Sequence, residues 1–331
     1  MQISISFQIN LHIKRIQVKK KMGSESEVKL PIIDFSTENL ESNVEEWESV
    51  KSKVHKALVE YGCFEAVFDK VPFHFRKAIF LEVDELFNLP LETKKRAVSS
   101  KPYRGYVGPI HLYESIGIDD ADVHEKVETL INILWPQGKP SFSKNLQLLS
   151  EKVARLDEMI RKMCLESLGV EKYLDEHMNS TYYLARLIKY KAPQTDEPEV
   201  AISEHTDKNI LTILCQNQID GLEIQTKSGE WIKFKPSTSN SFVVVTGDTF
   251  YAWTNGRVHT PIHRVMMTGN ERRLTIGLFT VPKPGFIIKA PDELVTEEHP
   301  LLFKPFVQSE FMKFLLSSEN TKNALKVYCG V

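Results

Sequence analysis

Cysteine is scarce in this chain: four in 331 residues, Cys63, Cys164, Cys215 and Cys329, with no C-x-x-C pair. Neither a disulfide framework nor a cysteine-ligated zinc site fits that spacing, and a reducing, cytoplasmic setting is the expectation. Charge of one sign is also lacking, since 42 lysines and arginines oppose 44 aspartates and glutamates for a net charge of -2. Without a cationic surplus there is no electrostatic case for nucleic acid or a membrane surface as partner. No apolar run approaches the roughly 20 residues that a helix needs to cross a bilayer. Internal repeats and low-complexity linkers are missing too. What the chain does have is 42% hydrophobic residues, ample for a substantial buried core. One helix-flanked β domain, a monomer acting on a small molecule, is preferred over two independent units.

Residues 1–21 contain Lys14, Arg15, Lys19, Lys20 and Lys21 and no acid, then give way to Met22 and the polar GSESEVKL. A secretory signal places its charge before the apolar stretch and here the charge follows it; the composition of a transit peptide is matched better. We expect Met22 to be the working start and residues 1–28 to be a disordered or extraneous tail. Residues 29–170 read as an α-rich region. LPIIDF is a short strand, NVEEWESVKSKVHKALVEYG has helical spacing and stops at Gly62, a second helix spans about 72–87 and a long one about 144–168. In the long one Leu146, Leu149, Val153, Leu156, Ile160, Met163 and Cys164 form one apolar stripe, a face for packing on a sheet. From residue 181 the texture changes to short runs broken by turn residues: YYLARLIKY, EVAISEH, ILTILCQ, GLEIQT, EWIKF, SFVVVTG, HRVMM, RLTIGLF and GFIIKA. So many strands need two packed sheets, hence a mainly β sandwich or barrel with flanking helices. Its core covers residues 171–331, and a helix over about 306–316 closes the chain.

Within SEHTDK, His205 and Asp207 are one residue apart, and alternate side chains on a strand face the same way, so both can converge on one ion. Alone the pair is weak, because ten histidines give an H-x-D readily by chance. Downstream, His259, His263 and His299 are candidates for a third ligand. His259 and His263 are four positions apart, a zinc spacing on a helix, but Pro261 between them argues against a helix. His263 opens the strand-like HRVMM and is the better inward ligand. Two histidines and one carboxylate point to non-haem iron(II) and oxygen chemistry. Ten residues on, Arg273 and Thr275 share a strand face. An arginine inside a β core needs an anion; its fork suits a carboxylate, and a hydroxyl adds a further contact. A structural salt bridge to an Asp or Glu is the plain alternative.

These motifs together resemble the plant 2-oxoglutarate and iron(II)-dependent dioxygenases, over nearly all of residues 29–330. LPIIDFS with the following helix and YGCFEAV is similar to that family's N-terminal region. HTD at 205–207 and HRV at 263–265 resemble its iron motif, 56 residues apart (263 − 207), and R-L-T at 273–275 resembles its R-x-S cosubstrate motif with threonine for serine. Many members have an asparagine two residues before a cosubstrate-binding tyrosine; this chain has Ile188 before Tyr190, so only Tyr190 carries over. VPFHFRKAIF, KPYRGYVG and YGCFEAVFDKV look most like the AOP group, which oxidises glucosinolate side chains, and its relatives in specialised metabolism.

The resemblance implies a double-stranded β-helix (jelly roll) core. It implies Fe(II) on His205, Asp207 and His263, with 2-oxoglutarate on Arg273, Thr275 and Tyr190 and O2 as co-reactant. Ascorbate is a reductant to consider. The reaction would oxidise, most simply hydroxylate, a C–H bond of a small plant metabolite with release of succinate and CO2. By position in the family, Tyr106, Arg186, Leu211, Phe279 and Phe306 are expected to wall the substrate pocket. Three rivals are a zinc hydrolase on the same ligands, for which no H-E-x-x-H exists; an oxidase of the same fold working without 2-oxoglutarate; and a non-catalytic binding homologue.

Overall fold

The computed structural model describes residues 28–318 and 323–331, so the expectation about Met22 and the basic tail lies outside the described residues. In chain order the elements are β1 (Ile32–Asp34), α1 (Val44–Glu60), β2 (Cys63–Val67), α2 (Phe73–Asn88), α3 (Leu91–Lys94), β3 (Gly105–Ile110), β4 (Tyr113–Asp119), α4 (His124–Leu134), α5 (Pro140–Ser167) and α6 (Leu174–Asn179). There follow β5 (Thr181–Tyr190), β6 (Thr195–His205), β7 (Leu211–Gln216), β8 (Leu222–Gln225), β9 (Trp231–Lys233), β10 (Ser241–Thr246), α7 (Asp248–Trp253), β11 (His263–Gly269), β12 (Arg273–Pro282), β13 (Ile287–Ile288), β14 (Phe306–Val307), α8 (Gln308–Ser317) and α9 (Ala324–Cys329).

Each of the nine short apolar runs forms a strand, and eight of them assemble in two sheets. The major sheet has the order β1-β2-β10-β7-β12-β5-β4-β3 and the minor one β6-β11-β8-β9, with β13 and β14 paired separately. This is the jelly roll with flanking helices. The α-rich region is more than a helical cover, because β1 and β2 extend one edge of the major sheet and β3 and β4 extend the other. Gly62 shows how α1 hands over to β2: its φ is +66°, and a Cβ there would lie 2.2 Å from the His259 carbonyl oxygen. Only glycine lets the two backbones approach that closely.

Strand alternation splits the major sheet into two faces. Leu211, Ile213, Cys215, Ile116, Leu187, Ile276 and Leu278 face outward into the main core, where they meet the helices. The α5 stripe lies in this layer, and Leu149 and Val153 pack on Ile213, Ile276 and Leu278. The other face looks toward the minor sheet. There the apolar packing is divided between a cluster around Leu222, Ile224, Phe234 and Val245 and a second around Ile188, Tyr190, Val265 and Met267. The functional side chains project from this inner face.

Candidate active site

His205 ends β6 and His263 begins β11, and the two are direct cross-strand partners with ring centroids 4.2 Å apart. Asp207 lies past the end of β6, on the turn that leads to β7. Strand alternation is therefore not what joins His205 to Asp207. The Asp207 carboxylate nevertheless reaches both rings. Asp207 Oδ1 lies 3.8 Å from His205 Nε2 and 3.8 Å from His263 Nε2. With metal bonds of about 2.1 Å, one ion can span donors up to about 4.2 Å apart.

Hydrogen bonds fix which atoms remain free. His205 Nδ1 donates to the Ser203 carbonyl at 2.8 Å, and His263 Nδ1 faces the Pro261 carbonyl at 3.3 Å. Each contact puts the ring proton on Nδ1 and leaves the Nε2 lone pair for a metal. Asp207 Oδ2 accepts from Thr212 Oγ1 at 2.6 Å, so Oδ1 alone is turned to the histidines. Burial and the neighbouring His263 lower the His205 pKa to about 4, which keeps the ring neutral. Burial alone would raise the pKa of Asp207, but the two histidines outweigh it and the carboxyl is held below its ordinary value. A neutral imidazole at His205 beside an ionised carboxylate is a protonation state that metal binding requires. His259 and His299 stand apart: His259 is tied by its backbone to Leu58, and His299 is exposed in a turn.

Arg273 opens β12 and is 1% exposed. Its Nη2 donates to Gln216 Oε1 at 2.7 Å, and its guanidinium lies 5.0 Å from the centroid of the Tyr190 ring, its cross-strand partner. The Gln216 amide is aimed by its own bond to the Ile219 carbonyl. Among the described residues no carboxylate pairs with Arg273, its Nε is buried without an acceptor, and the Thr275 hydroxyl beside it is equally unpartnered. An interior guanidinium and hydroxyl left unsatisfied on one strand face form a cradle for an external carboxylate. The salt-bridge alternative is thereby removed.

The 2OG-Fe(II) oxygenase superfamily profile matches residues 175–282, and the profile described as non-haem dioxygenase in morphine synthesis N-terminal matches residues 30–132. The "Probable 2-oxoglutarate-dependent dioxygenase AOP1.2" of Arabidopsis thaliana is 51% identical over 291 residues, 86% of this chain and 90% of that protein. The chain belongs to the 2OG-Fe(II) oxygenase superfamily. Within it the relatives are AOP-type plant dioxygenases, among them the Arabidopsis thaliana "2-oxoglutarate-dependent dioxygenase AOP2", 33% identical over 94% of this chain and 99% of that one. The crystal structure of the rice dioxygenase for auxin oxidation superposes with a TM-score of 0.77 at 27% identity, covering 91% of this chain and 100% of that one. The Arabidopsis thaliana enzyme DAO1, solved with 2-oxoglutarate, gives a TM-score of 0.74 at 24% identity over 82% and 100%, and supports the fold.

In this oxygenase the expected pocket walls divide by face. Arg186 and Phe279 are on the inner face, the guanidinium 5.5 Å from the Phe279 ring centroid. Leu211 is not: it is fully buried in the helix-facing core, and its neighbour Thr212 faces the site. A one-residue step along β7 exchanges the faces. Tyr106 also faces the helices, where its hydroxyl donates to Glu114 Oε2 at 2.9 Å beside the buried Lys94–Glu114 ion pair. Phe306 belongs to β14, ahead of the closing helix, and packs against Phe311 and Tyr328. Thr212, Gln216 and Tyr103 were not singled out from the sequence. The alternation of Thr212, Leu214 and Gln216 along β7 carried the signal for the first two. Tyr103 precedes β3 in a left-handed backbone conformation with φ 65°, and nothing local in the sequence marked it.

Proposed function

We propose that His205, Asp207 and His263 hold iron(II) and that Arg273, Thr275 and Tyr190 seat the distal carboxylate of 2-oxoglutarate, with Gln216 steadying the guanidinium. The observation that carries this assignment is Arg273: buried, without an acid partner, and on the same sheet face as Thr212, which orients the Asp207 carboxylate. When bound, iron(II), 2-oxoglutarate and dioxygen supply the oxidant, releasing succinate and CO2, and a C–H bond of the substrate gains the second oxygen atom. The protein's share is placement. The two Nδ1–H contacts would hold the imidazoles in place, Thr212 would occupy one carboxylate oxygen of Asp207, and Arg273 with Thr275 would position the cosubstrate. Burial of this cradle strengthens its grip on a dicarboxylate relative to water.

The finer reading is hydroxylation of a small specialised plant metabolite by a monomer in the cytoplasm. The AOP-type relatives, four reduced cysteines and a balanced net charge support it. The test is anaerobic addition of iron(II) and then 2-oxoglutarate to the purified chain. A visible charge-transfer band that needs both, and that Arg273→Ala weakens, is the expected result. Iron binding with no response to 2-oxoglutarate would overturn the cosubstrate assignment.

A further inference from the structure

A second guanidinium on the inner face has no acid partner. Arg186, in the middle of β5, has glycine on both sides: Gly117 of β4 and Gly277 of β12 are its direct cross-strand neighbours. Neither glycine is there for backbone freedom, since neither has a positive φ. What each leaves out is a side chain. A Cβ on Gly117 would lie 2.0 Å from the Tyr103 carbonyl oxygen, and a Cβ on Gly277 would lie 2.9 Å from the Phe279 ring. The Tyr103 and Phe279 rings both lie against the guanidinium, at 5.0 Å and 5.5 Å to their centroids. The backbone bends into a left-handed conformation at Tyr103 to achieve this, which a bulky residue adopts only when its surroundings enforce it.

The remaining partners of Arg186 are neutral. Nη2 donates to the Tyr113 hydroxyl and, at 3.3 Å, to Ser115 Oγ, and those two hydroxyls are themselves linked at 2.7 Å. Nε is buried without an acceptor. No Asp or Glu lies within ion-pair distance of Arg186 among the described residues. A guanidinium has five donors, and these contacts leave most of them and the whole charge uncompensated.

The position is set by the sheet. Phe279 is the cross-strand partner of Thr212, the residue that holds Asp207, so Arg186 lies two strands from the metal carboxylate, about 10 Å at the usual spacing. Arg273 is four residues along the same face of β12 from Gly277, and Tyr113, which accepts from Arg186, packs on Tyr190 with ring centroids 6.0 Å apart, so this cradle adjoins that of the cosubstrate.

We propose that Arg186 is the anchor for a carboxylate on the primary substrate, and that this enzyme therefore oxidises an organic acid whose apolar or aromatic body lies between Tyr103, Phe279 and the metal. A carboxylate fits better than a phosphate, because one guanidinium and two hydroxyls supply a planar fork and a single charge with no second cation beside them. A carboxylate held there sits several bonds from the carbon at the metal, so the carbon attacked is remote from the acid group. The proposal rests on the iron and 2-oxoglutarate assignment above.

The experiment titrates phenylacetic, 3-phenylpropanoic and 4-phenylbutanoic acids, and their methyl esters, into the full chain loaded with iron(II) and 2-oxoglutarate without oxygen, reading heat and the charge-transfer band. At least one acid should bind and shift the band while its ester binds at least tenfold more weakly. Arg186→Gln should weaken the acid about tenfold or more, the order of one charge-assisted contact, and leave the ester and 2-oxoglutarate unchanged. Arg186→Lys, which keeps charge without the fork, should fall between, and a matching melting temperature excludes misfolding. Binding of ester and acid alike, no binding by any acid of the series, or an Arg186→Gln effect confined to 2-oxoglutarate would each overturn the proposal. Absence of the charge-transfer band in the unmutated protein would instead refute the cosubstrate assignment, so the two failures are distinguishable.

Discussion

The two faces of the major sheet treat buried charge in opposite ways. On the helix face the interior charges are satisfied within the protein among the described residues, Arg76 by the Ser239 and Ser241 carbonyls and the others by a counter-charge. Arg161 and Asp157, each 1% exposed, pair at 2.7 Å, and Asp157 also accepts from Thr280 at 2.6 Å and Tyr183 at 3.1 Å. Lys94 pairs with Glu114 at 2.7 Å. On the inner face, the buried Arg273 and the half-buried Arg186 have hydroxyls, amides and aromatic rings around them but no acid within ion-pair distance among the described residues. Burying a lone charge is costly, and a fold tolerates it where a ligand completes the pair. The difference separates groups that hold the protein together from groups that wait for a small molecule.

The sharpest way to break this comparison is at the metal. Asp207→Ala removes the carboxylate between the two histidines and should abolish iron-dependent succinate formation, while urea unfolding of the metal-free chain changes little. Retained turnover would remove Asp207 from the ligand set. Next comes Arg273→Met, which should raise the KM for 2-oxoglutarate about 100-fold, the loss of a bidentate charged contact. Without ligand the same variant should melt at or above the parent temperature, because an uncompensated buried charge has gone. A large loss of ligand-free stability would mean that Arg273 is structural.

On the helix face the outcome should invert. Asp157→Ala leaves Arg161 buried and alone, at a cost of about 3–5 kcal/mol in urea unfolding, with the KM for 2-oxoglutarate unchanged in the folded fraction. Thr212→Val is subtler: it keeps the shape of β7 but releases Asp207 Oδ2, and iron affinity should fall about tenfold by metal titration with little change in stability.

How much of this was legible in the sequence follows the physics of period and distance. The nine core strands and α1, α2 and α5 could be read because each carries its own periodicity over enough residues. The ligand set could be read because His263 opens a strand and Pro261 forbids a helix. Three things could not be read. Asp207 lies past the end of β6, where strand alternation no longer applies. The hairpin of β3 and β4 has a weak pattern, so its place on the sheet, and with it the face of Tyr106, depended on a register that only pairing with β5 fixes. The same one-residue parity misplaced Leu211. The glycines flanking Arg186 lie 69 and 91 residues from it (186 − 117 and 277 − 186), so their joint effect exists only in the folded sheet.

The smallest effect tests whether the helix face is as fully compensated as it looks. His177 is 3% exposed, its Nδ1 is 3.3 Å from Arg161 Nη1, and its Nε2 has no partner among the described residues. Burial, and then the Arg161 charge, hold its pKa well below the ordinary 6.5. The folded chain keeps this ring neutral, whereas the unfolded chain protonates it near pH 6.5. Its contribution to stability is therefore complete above pH 6.5 and is lost as the pH falls below that value, by up to about 1.4 kcal/mol per pH unit. Other buried histidines add to the slope in the parent protein, so the measurement is a difference. Urea midpoints at pH 7.5 and 5.5 should diverge less in His177→Gln than in the parent, by the slope of one proton. An identical slope in both would show that the ring protonates within the fold, against the Arg161 charge, and that the helix face can absorb one more cation than its visible partners account for.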